Sequence, residues 1–141
     1  MGFIVDDTKF PIVRCSIEGV LNDKEMQKWL AAQKRTLMLG RKFATIVDTS
    51  GVKEWTALNR AANTKFLKEN EVALRNLVVG CGLVMTNSLM RGMATAMTWV
   101  IPFPHPIKYC DSLREAELYC ERQLRSHGIS YASYHPKTII P

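Results

Sequence analysis

Short apolar runs alternate with stretches of helical periodicity along most of this chain, and that alternation constrains the fold more than any motif. Residues 10–20 place Val13, Cys15 and Ile17 on one side and polar residues on the other, which predicts a half-buried strand. A short apolar run at residues 3–5 precedes it across a polar, turn-like stretch. We therefore expect the chain to open with an antiparallel hairpin.

A helix and a buried strand are predicted next. Asn22 is a suitable N-cap, with Glu25 at the third position of a capping box, and Gly40 is suited to the position just beyond the helix end. Residues 42–47 form an almost continuous apolar run, which is typical of a central strand covered on both faces. The turn-forming residues 48–51 are expected to end that strand.

The second half of the chain repeats this alternation. A second helix is predicted to begin near Thr56, and the charged stretch 65–75 is either its solvated face or a break between two helices. Residues 77–85 read as another apolar strand. Gly80 and Gly82 flank a cysteine in this strand, and close approach of a helix would explain both glycines.

Two further helices are predicted beyond that strand. Thr86 or Asn87 can cap a third helix, whose methionine-rich stripe we interpret as core packing rather than a docking surface. Residues 107–110 form a last short strand. Ser112 and Glu115 then have the spacing of a capping box for the closing helix.

The order of elements is therefore β-β-α-β-α-β-α-β-α. Right-handed crossovers between successive strands predict an α/β fold with a mostly parallel sheet of about five strands and four helices. The length of 141 residues fits one domain, which we assign to residues 1–128, followed by a C-terminal tail at 129–141. The apolar content of the tail makes homo-oligomerisation a testable option.

The charge excess does not indicate a nucleic-acid partner. Nineteen Lys and Arg against thirteen Asp and Glu give a net charge of +6, but the basic residues are scattered. The densest groups are Lys34/Arg35 and Arg41/Lys42, on either side of a predicted helix end, where cations offset the helix dipole. A solvated basic surface is the preferred interpretation; nucleic acid or an anionic membrane are the alternatives.

The cysteines and the length of the apolar runs indicate which classes of protein the chain does not resemble. Four cysteines without CxxC pairs or Cys-His spacing predict no metal site and no disulfide framework, and no cofactor motif is present, which fits a cytoplasmic protein. The N-terminus has no secretory signal pattern. The longest apolar stretch, at 77–85, falls short of the roughly 20 residues that a bilayer requires, so no membrane insertion is expected.

Three segments, taken with the order of elements, resemble a known family. They are residues 42–52 (KFATIVDTSGV), 86–99 (TNSLMRGMATAMTW) and 107–118 (IKYCDSLREAEL), within a likeness spanning about residues 3–127. The chain resembles the STAS-like superfamily, named from sulphate transporters and anti-sigma-factor antagonists, and in particular its bacterial single-domain relatives. The resemblance implies a non-enzymatic, regulatory or scaffolding module that binds another protein.

The chain departs from that family at the switch residue. Antagonist-type members carry a phosphorylatable serine in an Asp-Ser-Ser-Gly motif at the start of the second helix, which would fall near residues 56–59, here Thr-Ala-Leu-Asn. Kinase control is therefore not expected by analogy alone. Ser50 and Thr56 remain the possible phosphosites, although a turn serine and a helix-cap threonine also have purely structural explanations.

The carboxyl ends of the parallel strands are the predicted recognition edge, because ligands and partners of open α/β sheets engage there. Trp55 is either an exposed interface anchor or a lid folded onto the core. The polar turn after the next strand should lie on the same edge. The predicted partner-binding residues are Asp48, Thr49, Ser50, Trp55, Thr56, Asn87 and Arg91.

Catalysis is not predicted. Ser50, Asp48 and His105 offer the only hydrolytic grouping, but the GxSxG elbow is absent and His105 reads as a solvated loop residue. The alternative function is binding of a small apolar, lipid-like ligand, since STAS-like folds resemble the lipid-transfer CRAL-TRIO domain. The residues expected to line such a pocket are Met90, Met93, Met97 and Trp99.

Overall fold

The five strands of the sheet lie side by side in chain order. The computed structural model describes residues 2–86 and 103–129, and in it the first strand pairs antiparallel with the second while all other pairs are parallel. The predicted α/β class and mostly parallel sheet are confirmed. The strands are β1 (Phe3–Asp6), β2 (Ile12–Gly19), β3 (Phe43–Val52), β4 (Val78–Val84) and β5 (Ile107–Cys110).

The described residues form four helices, of which the first three connect strands and the last follows β5: α1 (Asp23–Leu37), α2 (Ala57–Glu69), α3 (Glu71–Leu77) and α4 (Leu113–Ser126). The capping box of Asn22 and Glu25 is confirmed, and Gly40 has a φ of +68° just beyond the end of α1. The stretch 65–75 is a break rather than one continuous helix, because α2 and α3 meet at Asn70.

Some of the predicted elements lie outside the residues that the structure describes. The third predicted helix, which would begin at Thr86 or Asn87 and include the methionine stripe, lies in the range 87–102, and most of the tail lies in 130–141. Ile129, the first tail residue, is described and packs beside α4.

The sheet separates two apolar layers, which explains the near-continuous apolar run of β3. Phe43 and Val47 lie in the layer with α1, α2 and α3, whereas Ala44 and Ile46 lie in the layer with α4. Ala44 and Ile46 are completely buried. Since β3 has two strands on each side and an apolar layer on each face, its predicted central position is confirmed.

The two glycines of β4 mark the closest approach of a helix. A Cβ atom on Gly80 would lie 2.8 Å from Gln123 Cγ, and one on Gly82 would lie 2.8 Å from Ala116 Cβ. Both contacts are with α4, so the expected explanation for these glycines is confirmed.

The predicted end of β3 is wrong. Residues 48–51 do not form a turn, because the strand continues to Val52 with a bulge in which Thr49 and Ser50 lie opposite the single residue Ile17 of β2. Within the bulge the Asp48 carboxylate accepts hydrogen bonds from the Ser50 backbone N–H at 3.0 Å and hydroxyl at 2.6 Å. Turn-forming residues thus satisfy their polar groups inside a strand.

Only half of the second predicted capping box forms. The Glu115 backbone N–H donates to Ser112 Oγ at 3.1 Å, as expected for an N-cap. The Glu115 carboxylate, however, accepts from the Asp111 backbone N–H at 2.9 Å instead of reaching the N–H of Ser112. The helix still begins at Leu113.

Candidate functional site

A cavity of about 120 Å³ lies between the sheet and helices α1 and α2. The described part of its wall contains sixteen residues, none of them Asp, Glu, Lys or Arg. Side chains at alternate positions of β3 and β4 form its floor: Thr45, Val47, Thr49, Cys81 and Leu83. The strand period of two places all of these on the same face of the sheet, and the small Thr45 and Cys81 lie opposite each other in register.

Trp55 covers this cavity instead of extending into solvent. Its ring packs edge-on against that of Trp29, with the ring centroids 6.1 Å apart and the planes at 87°. Trp55 is half-buried and lines the cavity, and its carbonyl accepts a hydrogen bond from Arg60 at 3.0 Å. Of the two interpretations left open by the sequence, the structure therefore favours the lid over the exposed anchor.

Two buried donors on α1 lack an acceptor. Among residues 2–86 and 103–129, no oxygen or nitrogen acceptor pairs with Trp29 Nε1 or Gln33 Nε2, although both atoms are buried; the Cys15 sulfur, a weak acceptor, is the polar group that the Trp29 indole meets. The two residues are four apart and so share one face of the helix, and both line the cavity. A buried donor left unpaired costs about 1–3 kcal/mol, so the domain retains these two groups at a loss of stability.

His105 also lines the cavity, which corrects its interpretation as a solvated loop residue. Its side chain is half-buried, and the centroid of its ring lies 5.9 Å from that of Phe103. The His105 Nδ1 atom is 3.2 Å from the Pro106 carbonyl oxygen. Burial lowers the pKa of His105 below its ordinary 6.5. The imidazole is therefore neutral at pH 7 and adds no charge to the wall.

The four cysteines are core residues. All four are buried, and no disulfide joins them. Burial raises the pKa of Cys15 to about 11 and that of Cys120 to about 12, and it raises the pKa of Cys81 as well. These three thiols are protonated at neutral pH and are poor nucleophiles. Within residues 2–86 and 103–129, no cluster of three or more His, Cys, Asp or Glu side chains has the arrangement of a metal site.

The predicted edge is partly assembled. The carboxyl end of β3 lies beside that of β4, with Asp48 opposite Val84 in register, and the Thr49 hydroxyl donates to the Val84 carbonyl at 2.7 Å. Thr49 contributes to the cavity wall, whereas Ser50 is exposed. Asn87 and Arg91 lie outside the described residues, so their place on this edge remains a prediction.

Thr56 is a helix cap. Its hydroxyl accepts from the Asn59 backbone N–H at 3.0 Å, and the Asn59 side chain accepts from the Thr56 N–H at 3.2 Å, which makes a reciprocal capping box. Asn59 also donates to the Leu21 carbonyl at 3.1 Å and is almost fully buried. This residue holds the start of α2 against the connection between β2 and α1, a role that the sequence did not reveal.

The three residues considered for hydrolysis are not joined. The Ser50 hydroxyl donates to Asp48, and among the described residues no hydrogen bond links His105 to either of them. A Ser-His-Asp relay needs the imidazole between the hydroxyl and the carboxylate. The grouping therefore lacks that geometry.

Comparison with known proteins identifies the fold. No family model matches the sequence, and no curated protein matches it. A solved structure of an uncharacterised DUF3478-family protein from Shewanella loihica, with a SpoIIAA-like fold, superposes with a TM-score of 0.66. The match covers 84% of this chain and 94% of that chain at 10% sequence identity. The chain has a STAS-like fold.

The resemblance drawn from the sequence is confirmed at the level of this fold. An identity of 10% transfers no activity and no site residue from the Shewanella protein. The STAS-like core itself contains the cavity, whose lining residues come from four of its five strands and two of its helices. Among the helices described, none is both long and apolar enough to cross a bilayer.

Proposed function

We propose that this chain is a non-enzymatic binding module whose STAS-like domain takes up a small, mostly apolar molecule that carries a hydrogen-bond acceptor. The observation that supports this most directly is that two donors on the cavity wall, Trp29 Nε1 and Gln33 Nε2, have no oxygen or nitrogen acceptor among the described residues, whose part of the wall carries no Asp, Glu, Lys or Arg. A ligand carbonyl or hydroxyl oxygen would satisfy one or both donors. The apolar remainder of the ligand would contact the floor formed by β3 and β4.

The dimensions restrict the ligand. An engineered apolar cavity of ~150 Å³ in another protein binds benzene, so a cavity of about 120 Å³ suits a molecule of that order of size. A lipid chain would need a pocket of several hundred Å³, roughly the lower limit of ordinary drug-sized sites. The cavity is therefore too small for the lipid-like ligand considered from the sequence. We propose instead a small neutral molecule, such as an aromatic ketone or phenol.

The test uses acetophenone, which has an acceptor, and toluene, which has none. We expect acetophenone to shift the Trp29 indole N–H resonance in a ¹H–¹⁵N spectrum. Gln33→Leu should weaken acetophenone binding about fivefold, the equivalent of one hydrogen bond of ~1 kcal/mol, and leave toluene binding unchanged. Gln27→Leu, on the exposed side of the same helix, is the matched control.

Two results would contradict the proposal. One is the absence of any acetophenone-dependent shift at Trp29 at millimolar concentration. The other is equal weakening by Gln33→Leu and Gln27→Leu, which would assign the effect to α1 in general. Gln33→Leu is further expected to raise the free energy of unfolding by about 1 kcal/mol in the absence of probe, because it removes a buried, unpaired donor.

A second candidate function is regulatory or scaffolding binding of another protein at the carboxyl edge. Leu58 and Val20 support it, because their side chains are 74% and 47% exposed. Hydrogen bonds from Lys53 N to Gly19 O and from Asn59 Nδ2 to Leu21 O hold their two segments together. Exposed apolar side chains on a rim next to polar groups are typical of interface anchors.

This second candidate is tested by comparing pull-downs with Leu58→Gln and Val72→Gln. Val72 is 66% exposed but lies on α3, so it controls for the loss of an exposed apolar side chain elsewhere. Loss of a specific partner with Leu58→Gln alone would support the edge. The same recovery from both variants and the wild type would exclude Leu58 as an anchor.

We also propose a cytoplasmic location, because no disulfide joins the four buried cysteines and a reducing compartment keeps thiols in this state. Thiol titration of protein denatured directly from cells should give four free thiols for each chain. Recovery of a disulfide-linked species would contradict the proposal.

A further inference from the structure

Two large apolar side chains are exposed where α1 ends. Met38 and Leu39 are 74% and 57% exposed. The backbone alone closes this turn: Met38 N–H donates to Lys34 O at 3.0 Å, Gly40 N–H donates to Leu37 O at 3.1 Å, and Gly40 supplies the left-handed φ of +68°. Folding therefore does not require apolar side chains at positions 38 and 39.

Four cations flank this apolar pair, namely Lys34, Arg35, Arg41 and Lys42, and residues 34–42 contain no acidic residue. All four are exposed, and none of them forms an ion pair with a carboxylate of the described residues. The basic residues Lys65, Arg75 and Lys108, in contrast, are each paired.

Neutral groups hold three of the four cations in place. Lys34 Nζ donates to the Asn70 side-chain oxygen at 2.6 Å, and Lys42 Nζ donates to the Asn76 carbonyl at 2.9 Å. The Arg41 guanidinium lies over the Phe10 ring, 5.2 Å from its centroid. These partners position the cations without neutralising them, so the charge remains available to an external anion.

We propose that residues 34–42, here called the basic tip, dock on the surface of an anionic lipid bilayer. The chemistry of the tip is complementary to that surface: apolar side chains enter the boundary between headgroups and acyl chains, while surrounding cations attract anionic lipids. A nucleic-acid backbone would engage the cations but would leave Met38 and Leu39 in water. The apolar pair therefore favours a bilayer over a polyanion.

The position of the basic tip is compatible with protein binding at the carboxyl edge of the sheet. Helix α1 ends just before β3 begins, so the tip lies at the amino edge of the parallel strands. The edge formed by Asp48, Ser50 and Thr56 lies at the carboxyl ends of those strands. Docking through the tip would leave that edge facing away from the membrane.

The experiment is co-sedimentation of the full chain with phosphatidylcholine vesicles, with and without one quarter phosphatidylserine. We expect binding to the anionic vesicles only. Arg35→Gln combined with Arg41→Gln should lower the partition coefficient about 25-fold, since each cation near such a surface contributes roughly fivefold. Leu39→Gln should lower it about tenfold through loss of apolar burial.

The matched control is Lys24→Gln combined with Lys28→Gln, which makes the same change of charge in the first half of α1. At a rise of ~1.5 Å per residue, Lys24 lies about 20 Å from the end of the helix, beyond the Debye length of ~10 Å in 0.1 M salt. The control should bind nearly as the wild type does. Thermal melting of every variant confirms that the domain is folded.

Several results would overturn the proposal. One is failure of the protein to sediment with anionic vesicles. Another is an equal loss of vesicle binding in the lysine control and in the arginine variant, because binding would then depend on net charge alone. Unchanged vesicle binding by Leu39→Gln would exclude apolar insertion. Stronger binding to duplex DNA than to vesicles, insensitive to Leu39→Gln, would reassign the tip to nucleic acid.

Discussion

Gly82→Ala should destabilise the domain by forcing α4 away from the sheet. The new Cβ would lie 2.8 Å from Ala116 Cβ and 3.1 Å from Ala116 Cα. Carbon atoms pack at about 3.5–4.0 Å, so both contacts are too close by several tenths of an ångström. Neither atom of Ala116 can rotate away, because both are fixed by the helix backbone, and Ala116 is completely buried.

The magnitude follows from two opposing terms. Overpacking of a close-packed core costs roughly 1–3 kcal/mol, while Gly→Ala restricts the unfolded chain and returns about 0.4–1 kcal/mol. We expect a net loss of about 1–2 kcal/mol, which is a fall in Tm of roughly 3–8 °C for a domain of this size. Gly80→Ala is the comparison, since its closest contact is the flexible Gln123 side chain. That side chain can move at the loss of its 2.8 Å hydrogen bond to the Val79 carbonyl, about 1 kcal/mol, and the gain of about 0.4–1 kcal/mol from restricting the unfolded chain offsets this loss, so Gly80→Ala should be nearly neutral.

Urea unfolding of both variants, and of Gly82→Ala combined with Ala116→Gly, measures the effect. Ala116→Gly alone should cost about 1 kcal/mol in helix propensity. In the double variant the Cβ of residue 116 is gone, which removes its clash with the new Cβ of residue 82. The double variant should therefore lose about 1 kcal/mol less than the sum of the losses of the two single variants. Strict additivity, or a Gly82→Ala variant as stable as the wild type, would refute the close-packing argument.

Three further predictions concern single side chains. Burial lowers the pKa of His105, so as the pH falls the imidazole is protonated in the unfolded chain before it is protonated in the folded one, and stability should fall as the pH drops below 6.5. The urea midpoints of His105→Gln at pH 5 and pH 7 should therefore differ less than those of the wild type. Asn59→Ala should lose about 2–3 kcal/mol in the same assay, since it removes the side-chain acceptor of the Thr56 N–H and leaves the Leu21 carbonyl without its donor; a loss below 0.5 kcal/mol would contradict this role. In thermal melting, Ser50→Glu should lower Tm more than Thr56→Glu, and the reverse order would be inconsistent with the hydrogen bonds of the two hydroxyls.

The elements that could be predicted from the sequence are those whose signals are local. The alternation at Val13, Cys15 and Ile17 identified β2, and the Asn22 cap identified α1, because each depends on residues a few positions apart. The glycines at positions 80 and 82 gave a correct non-local prediction as well. A missing side chain in an apolar strand has few explanations other than the approach of another element.

The end of β3 could not be predicted in this way. Asp48 to Gly51 have the residue types of a turn, and the Asp48 side chain does make turn-like bonds to Ser50. What keeps these residues in the strand is pairing with β2, together with the pairing of Asp48 with β4, and both depend on partners more than 30 positions away. The cavity was likewise beyond local reasoning, since the lack of an oxygen or nitrogen acceptor for Trp29 and Gln33 among the described residues is a property of their surroundings.

The same bonds distinguish the two hydroxyls considered as phosphosites. The Ser50 hydroxyl donates to the Asp48 carboxylate at 2.6 Å, so a phosphate there would remove the donor and place a charge near −2 beside an existing anion. Thr56 caps α2, a helix with no acidic residue in its first turn, and its hydroxyl acts as an acceptor. A phosphate at this N-terminus would keep an acceptor for the Asn59 N–H and would interact favourably with the helix dipole. Phosphorylation at Ser50 would therefore act by disrupting the bulge of β3, whereas at Thr56 it would add charge to an edge that stays folded.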